Sequence, residues 1–256
     1  MKKVVNVFWT GGLDSTCRVA ELSRMDIILQ PYYIIDRGRG SVKEEMRAMD
    51  TITKIIRSNE NTVCELRDVI TVKREDVAKY EDITEARERL SEKYKIGEQY
   101  DWLARFARQN NLIIEYSLEN SPISKVMQAI NGESKLIADD EDERLRRLMI
   151  DVAQSSPEAV LLFQNIRFPS TLWNMTKLEE ADELKSMGLE EAYRKTWFCH
   201  RPVFGLACGH CNPCRDALNE GMAYRVTRLG YVLGIPRHVA YVTYKFFEPL
   251  WKRKKK

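Results

Sequence analysis

Apolar and polar positions along this chain switch repeatedly between a two-residue and a three-to-four-residue rhythm. Val4–Phe8 is a short apolar, β-branched run. It breaks at Thr10-Gly11-Gly12 into a helical pattern over residues 14–24. Residues 31–36, with Tyr32-Tyr33-Ile34-Ile35, predict a second strand. In Val42–Ser58, Met46, Met49, Ile52, Ile55 and Ile56 recur every three or four positions, which predicts an amphipathic helix. Residues 62–66 predict a short strand, and 75–95 a charged loop leading into an exposed helix. An aromatic helix is expected over 100–109 and a strand over 112–118. Further on, 141–154 reads as an amphipathic helix, 159–163 as a strand, and 176–187 as a helix ending before Gly188. Strands separated by helices imply βα units and a parallel sheet, an α/β fold whose ligands sit at the carboxyl ends of the strands.

The first strand-turn-helix junction carries the clearest chemistry. Phe8, Trp9, Thr10, Gly11, Gly12, Leu13, Asp14, Ser15 and Thr16 form it. N–H groups at a helix start lack intrahelical partners and face the positive end of the helix dipole. Two glycines let the main chain approach an anion, and Thr10 and Ser15 add hydroxyls. The segment reads as a phosphate cradle suited to ATP. An ordinary βα turn, capped by Asp14 or Ser15, is the plainer alternative. No Gly-Lys-Ser/Thr follows, so it is not a Walker loop, and the third glycine of a dinucleotide fingerprint is missing. Asp36, closing the second strand, is a candidate acceptor for ribose or adenine or a Mg²⁺ ligand; it also suits a turn before Gly38.

Composition narrows the class without naming a partner. The 256 residues are 44% hydrophobic and 31% charged, which fits a folded chain with a sizeable core. The net charge of +3 is small. No stretch approaches the roughly 18 apolar residues of a membrane helix, and the N-terminal strand is too short for a signal-peptide core. A cytoplasmic, membrane-free protein is expected, with 252–256 as a basic, solvated tail.

Four of the six cysteines crowd together: Cys199, then Cys208-Gly-His-Cys211-Asn-Pro-Cys214. Overlapping CxxC units turn thiolates toward one point, and a fourth closes a tetrahedron around Zn²⁺ with no open position, which makes the ion structural. Disulfides are an alternative that a cytoplasmic setting disfavours, and a redox CxxC is weaker because four cysteines cluster rather than two. His200 and His210 lie beside these cysteines as possible substitute ligands. Cys17 and Cys64 are isolated and read as small buried hydrophobes.

Several of these segments together carry a resemblance. Gly11-Gly12-Leu13-Asp14-Ser15, the Asp36-x-Gly38 turn, Thr176-Lys177-x-Glu179, Thr196-Trp197-x-Cys199 and Cys208-Gly-x-Cys211-x-x-Cys214 occur in that order over residues 4 to about 220. The chain resembles the 7-cyano-7-deazaguanine synthases of queuosine biosynthesis, a branch of the PP-loop ATP pyrophosphatases. The resemblance implies a single Rossmann-like PP-loop domain over 1–256, with a zinc segment at about 196–220, and usually a homodimer. It implies ATP and Mg²⁺ as cofactors, 7-carboxy-7-deazaguanine and ammonia as substrates, and two activations that yield first the amide and then the nitrile. Asp14, Ser15 and Lys177 are then the catalytic candidates, with Lys177 neutralising developing phosphate charge; a solvated helix lysine is the alternative. The family's Pro-x-Arg-Asn-type middle segment is replaced here by Gly97-Glu98-Gln99-Tyr100-Asp101-Trp102. Gln99 is the candidate for a purine edge and Tyr100 or Trp102 for stacking, against a plain aromatic helix start. Phe198 stands where the family has Ser, and Arg215-Asp216-Ala217-Leu218 replaces a hydrophobic-Arg order. Two other readings stay open: a ligase that passes the activated carboxylate to a protein or nucleic-acid amine, and a zinc-dependent RNA-binding or thiolating enzyme.

Overall fold

The computed structural model describes residues 2–118, 124–173 and 175–253, with side chains described to residue 244. Lys254, Lys255 and Lys256 of the basic tail lie outside the described residues. The chain divides into two compact units. One comprises the chain up to Asp36 together with Glu45–Thr196; the other comprises Arg37–Glu44 and the chain from Trp197 onward.

In the first unit the strands are β1 (Val4–Phe8), β2 (Ile28–Ile35), β3 (Glu65–Leu66), β4 (Ile70–Lys73), β5 (Ile114–Glu115), β6 (Leu136–Ala138), β7 (Arg147–Ile150) and β8 (Ile166–Pro169). They form one sheet in the order β3-β2-β1-β5-β8-β7-β6, with β4 also pairing β2. The pairs β1–β2, β1–β5, β2–β3, β2–β4 and β5–β8 are parallel, whereas β6–β7 and β7–β8 are antiparallel. The mostly parallel sheet suits a Rossmann-like α/β fold. Phe8 pairs with Tyr32, so the loops after β1 and β2 leave the same edge. A ligand belongs at that edge in an open parallel sheet.

The helices are α1 (Leu13–Ser23), α2 (Val42–Ser58), α3 (Glu81–Tyr94), α4 (Gln99–Gln109), α5 (Lys125–Glu133), α6 (Pro157–Phe163), α7 (Lys177–Ser186), α8 (Glu190–Lys195), α9 (Asn212–Asn219) and α10 (Arg228–Arg253). Among the described residues, none is long and apolar enough to cross a membrane. The expected three-and-four spacing of α2 buries Met49, Ile52 and Ile56, while Met46 on the same helix stays exposed.

Two stretches differ from the sequence expectation. Residues 141–154 are not a helix. Asp142 and Asp151 each accept a backbone N–H, from Arg144 and Ala153, and so cap two 3-10 turns that flank β7. These side chains offer the backbone a local alternative to continued helix. Residues 159–163 are helical rather than a strand. The Ser156 hydroxyl accepts from the Ala159 N–H at 3.3 Å and Pro157 occupies the first turn, both helix-start signals. The strand that was placed there lies three residues later, in β8. The strand expected over 112–118 is ladder-paired only at Ile114 and Glu115.

Candidate functional site

Gly11 is forced by geometry. Its φ is +70°, a left-handed conformation, and a Cβ there would lie 3.1 Å from Ala48 Cβ and 3.2 Å from the Glu45 carbonyl oxygen. The turn therefore packs against α2 as closely as glycine permits. Gly12 is the N-cap of α1, extended at φ −76° and ψ 167°, and no side chain caps this helix start. The Ser15 hydroxyl reaches back to the Gly12 carbonyl at 3.4 Å. A helix N-terminus left without a side-chain cap at the carboxyl edge of a parallel sheet favours an anion.

The candidates in this segment divide by where their side chains go. Thr10 is exposed, and Gly12, Asp14 and Ser15 are half-buried. Phe8, Trp9, Leu13 and Thr16 face the interior. Phe8 packs on Phe106. The Trp9 indole N–H donates to the Thr16 hydroxyl at 3.0 Å, and the Trp9 main-chain N–H donates to Tyr32 O. These four side chains brace the turn from beneath; the surface offered to a ligand comes from Thr10, Gly12, Asp14 and Ser15.

Lys177 comes to the same place from far along the chain. It is the first residue of α7, where a positive charge opposes the helix dipole. Thr176 and Glu179 form a reciprocal capping box around it: the Thr176 N–H donates to Glu179 at 2.7 Å, and the Glu179 N–H donates to the Thr176 hydroxyl at 3.3 Å. The Thr-Lys-x-Glu pattern thus has a local cause, since two of its members start the helix. Lys177 itself pairs with Asp14 and lies 3.4 Å from Glu180 Oε2. The Glu180 carboxyl is fully buried, and among the described residues its Oε1 has no hydrogen-bond partner. Burial pushes the Glu180 carboxyl far above the ordinary carboxylate range, and the neighbouring Asp14 charge pushes the same way. Burial acts to raise Asp14, but the Lys177 charge together with hydrogen bonds from Glu180, Lys177 and the backbone outweighs it and holds that carboxyl below its usual value. Near neutrality the trio is a carboxylate, an ammonium and a neutral acid. Glu180 was absent from the sequence reading; its position three residues after Lys177, on the same helix face, was the available signal.

The remaining candidates are engaged with other partners. Asp36 is 3.6 Å from the Arg74 guanidinium at the end of β2. The Gln99 amide donates to the Tyr116 hydroxyl at 3.0 Å. Tyr100 and Trp102 are buried, with Tyr100 edge-on to Tyr116 and Phe163, so both rings serve as core. Behind α1 lies a buried ionic network that the sequence did not suggest. Arg18, 1% exposed, clamps Glu115 at 2.7 and 3.1 Å and bonds Glu21 at 2.7 Å. Arg147 lies 3.8 Å from Glu115 and 2.6 Å from Asp139, which also accepts from Arg167 at 3.0 Å. The network ties α1 to β5, β7 and β8.

In the second unit the four clustered cysteines converge. The Sγ atoms of Cys199, Cys208, Cys211 and Cys214 all lie within 4.8 Å of one another, and all four residues are buried. Separations of 3.4 Å (Cys211–Cys214) and 3.9 Å (Cys208–Cys214 and Cys199–Cys211) are too long for disulfides. They match the edges of a tetrahedron with metal–sulfur bonds of about 2.3 Å. The Cys208 N–H donates to Cys199 Sγ at 3.2 Å, and the His210 N–H points at Cys208 Sγ at 3.5 Å. Such donors offset thiolate charge around a metal. The group can hold a metal such as zinc. The His210 ring is engaged elsewhere, 2.9 Å from Tyr231 O and stacked on His238, so the four sulfurs are the candidate ligand set.

No protein-family model matches the chain, and a search among curated proteins finds no match. The functional reading therefore rests on the residues themselves.

Cys17 and Cys64 bear on one alternative. Burial drives the Cys17 thiol strongly upward and Cys64 up to about 11. Neither is a ready thiolate.

Proposed function

We propose that this protein is a PP-loop-type ATP-dependent carbon–nitrogen ligase that adenylates 7-carboxy-7-deazaguanine and lets ammonia attack, giving the amide and, after a second activation, the nitrile. One observation carries the reading: a Gly11-Gly12 turn at the sheet's carboxyl edge leads into a helix start with no side-chain cap, and Lys177 is held beside it on Asp14. A carboxylate is a poor electrophile, and adenylation gives its carbon a leaving group. The enzyme's share of that chemistry is to position two reactants and stabilise charge on phosphate. The N–H groups at the start of α1, with Thr10 and Ser15, would hold the phosphates. Lys177 would neutralise charge as pyrophosphate departs, and Asp14 would orient Lys177. Asp14 and Asp36 are the carboxylates at this edge for a nucleotide-borne Mg²⁺. A structural zinc would occupy the four cysteines.

A second reading, transfer of the activated carboxylate to a larger amine, is motivated by the altered middle segment Gly97-Glu98-Gln99-Tyr100-Asp101-Trp102, whose Tyr100 and Trp102 rings are buried in the core. A thiolating enzyme is disfavoured, because Cys17 and Cys64 are both poor nucleophiles here.

The test is mass spectrometry of products after incubating the protein with ATP, Mg²⁺, ammonium and 7-carboxy-7-deazaguanine. The nitrile, formed with pyrophosphate release, is the expected product. An adenylate that accumulates without amide or nitrile would favour the larger-amine acceptor. Absence of ATP turnover with this acid would overturn the assignment of substrate.

A further inference from the structure

Helix α10 has two opposite faces of unlike character. On one, Gly230 and Gly234 abut the metal knuckle so closely that a Cβ at either would strike the carbonyl oxygens of Ala207 and Cys208. The Arg237 guanidinium bonds the Pro202 carbonyl, and Arg201 stacks on the Tyr241 ring, from the same face. On the other, Leu229 (60% exposed), Val232 (60%), Ile235 (44%), Val239 (57%) and Val242 (50%) stand open. At 100° per residue these five span an arc of about 140°, an apolar stripe with Arg228 and Thr243 as its polar members. The sequence carries the same spacing onward with Phe246, Phe247 and Leu250. A solvated helix normally puts its apolar stripe inward and its charges outward; here the packed face is glycine-rich and the apolar stripe is outward.

Charge along the same segment is equally lopsided. Arg228, Arg237, Lys245, Lys252, Arg253, Lys254, Lys255 and Lys256 stand against Glu248 alone. The whole chain balances 41 basic against 38 acidic residues, so the rest of the molecule is net acidic. An apolar stripe, aromatic residues including Trp251, and a terminal basic block are the marks of a helix that lies in a membrane interface.

We propose that α10 is a peripheral membrane-binding helix that lays its Leu229–Val232–Ile235–Val239–Val242 face onto an anionic lipid surface. The occupant must be apolar over the stripe and attract a segment whose sequence carries eight basic residues against one acidic, and an anionic bilayer supplies both at once. RNA would satisfy the charges but gain nothing from the stripe. A second copy would satisfy the stripe but bring a second set of eight basic residues alongside the first. Pro236, within the stripe, also removes a helical N–H, whose carbonyl partner a close helix–helix seam would leave unpaired. The proposal is independent of the ligase reading.

The test is flotation of the full-length protein with vesicles of phosphatidylcholine alone and of mainly phosphatidylglycerol. The expected result is flotation with the anionic vesicles only. A V232D/V239D variant should lose about a hundredfold in partitioning, because two of the five buried apolar anchors become charged. Its metal content and ATP turnover should stay unchanged, since neither residue belongs to those sites. Replacing Lys252, Arg253, Lys254, Lys255 and Lys256 with Gln should weaken binding at least about tenfold, more so at low salt. The proposal fails if the protein does not float at low ionic strength, or if V232D/V239D floats as well as the parent. It fails equally if the variant instead splits a dimer in sedimentation equilibrium, which assigns the stripe to a second copy. Salt-sensitive retention of RNA without vesicle binding would assign the basic block to nucleic acid and also overturn it.

Discussion

The two candidate sites are held in place by opposite means. Around Lys177 and Asp14 the scaffold is already complete. β1 and β5 run through a large apolar core, α1 is anchored by the buried Arg18–Glu115 pair, and α7 starts on its own capping box. The chemistry-bearing groups are additions to a structure that does not depend on them. Around the four cysteines the reverse holds. The buried cluster there consists of those cysteines with Val203 and Ala207, backed by partly buried Trp197, Phe198, Val226 and Leu233. So few apolar side chains bury too little surface to order a segment alone. A bound metal would supply the missing free energy. The lesson is that a site can sit on a scaffold or can itself be one, and perturbation should tell the two apart.

The largest contrast is expected on metal removal. Chelation, or Cys211→Ser, removes a term on the order of 10 kcal/mol for a structural thiolate zinc. Proteolysis should then cut within 197–253 while fragments spanning the first unit's sheet persist. A protease pattern identical to that of the untreated protein would show that the cysteines do not carry this unit. The next effect lies in the first unit. Arg18→Ala leaves Glu115 buried without its main partner and should cost about 3–5 kcal/mol in denaturant unfolding, with the metal content unchanged. Lys177→Ala should leave folding nearly intact while lowering ATP–pyrophosphate exchange by about 10²–10³-fold. Equal loss of stability and activity would mean that Lys177 is only structural.

The smallest effect sharpens the charge state of the trio. The Glu180 pKa is raised on folding, so its contribution is fully present below the unfolded value near 4.5 and is lost as pH rises toward the folded value. Glu180→Gln removes that titration. The variant's melting temperature relative to the parent should rise between pH 5 and pH 8. A relative fall over that range would mean that an ionised Glu180 holds Lys177.

Legibility in the sequence followed the same division. The cysteine spacing announced its ligands, because CxxC geometry is local. The glycine turn was equally plain, and the structure gives Gly11 a backbone conformation that few other residues adopt. The strands β1 and β2 and the helices α1, α2, α4 and α7 followed from periodicity. What escaped depends on distant partners. Arg147 and Arg167 sit in the middle strands of a buried sheet, where basic residues read as surface until Asp139 and Glu115 arrive from elsewhere. Arg167 interrupts the short apolar run of β8, and Arg147 opens β7 with a charge. Glu180 looked like one more charge on a helix rich in them. Helix α10 was missed because Gly230, Gly234 and Pro236 are poor helix residues, two of which earn their positions by close approach to the metal knuckle.

The position of β1 has a consequence for how the protein is made. It is made before either strand that it pairs with, yet it lies inside the sheet. Its neighbour on one side, β2, follows within about thirty residues, while that on the other, β5, begins at Ile114. At roughly 5–20 residues per second, the second edge of β1 stays open for several seconds of translation. Its row of unpaired main-chain groups, flanked by Val5 and Val7, invites another nascent chain to pair. This protein should therefore depend on chaperones during synthesis far more than during its folded lifetime, and slower translation between residues 36 and 114 should increase its aggregation.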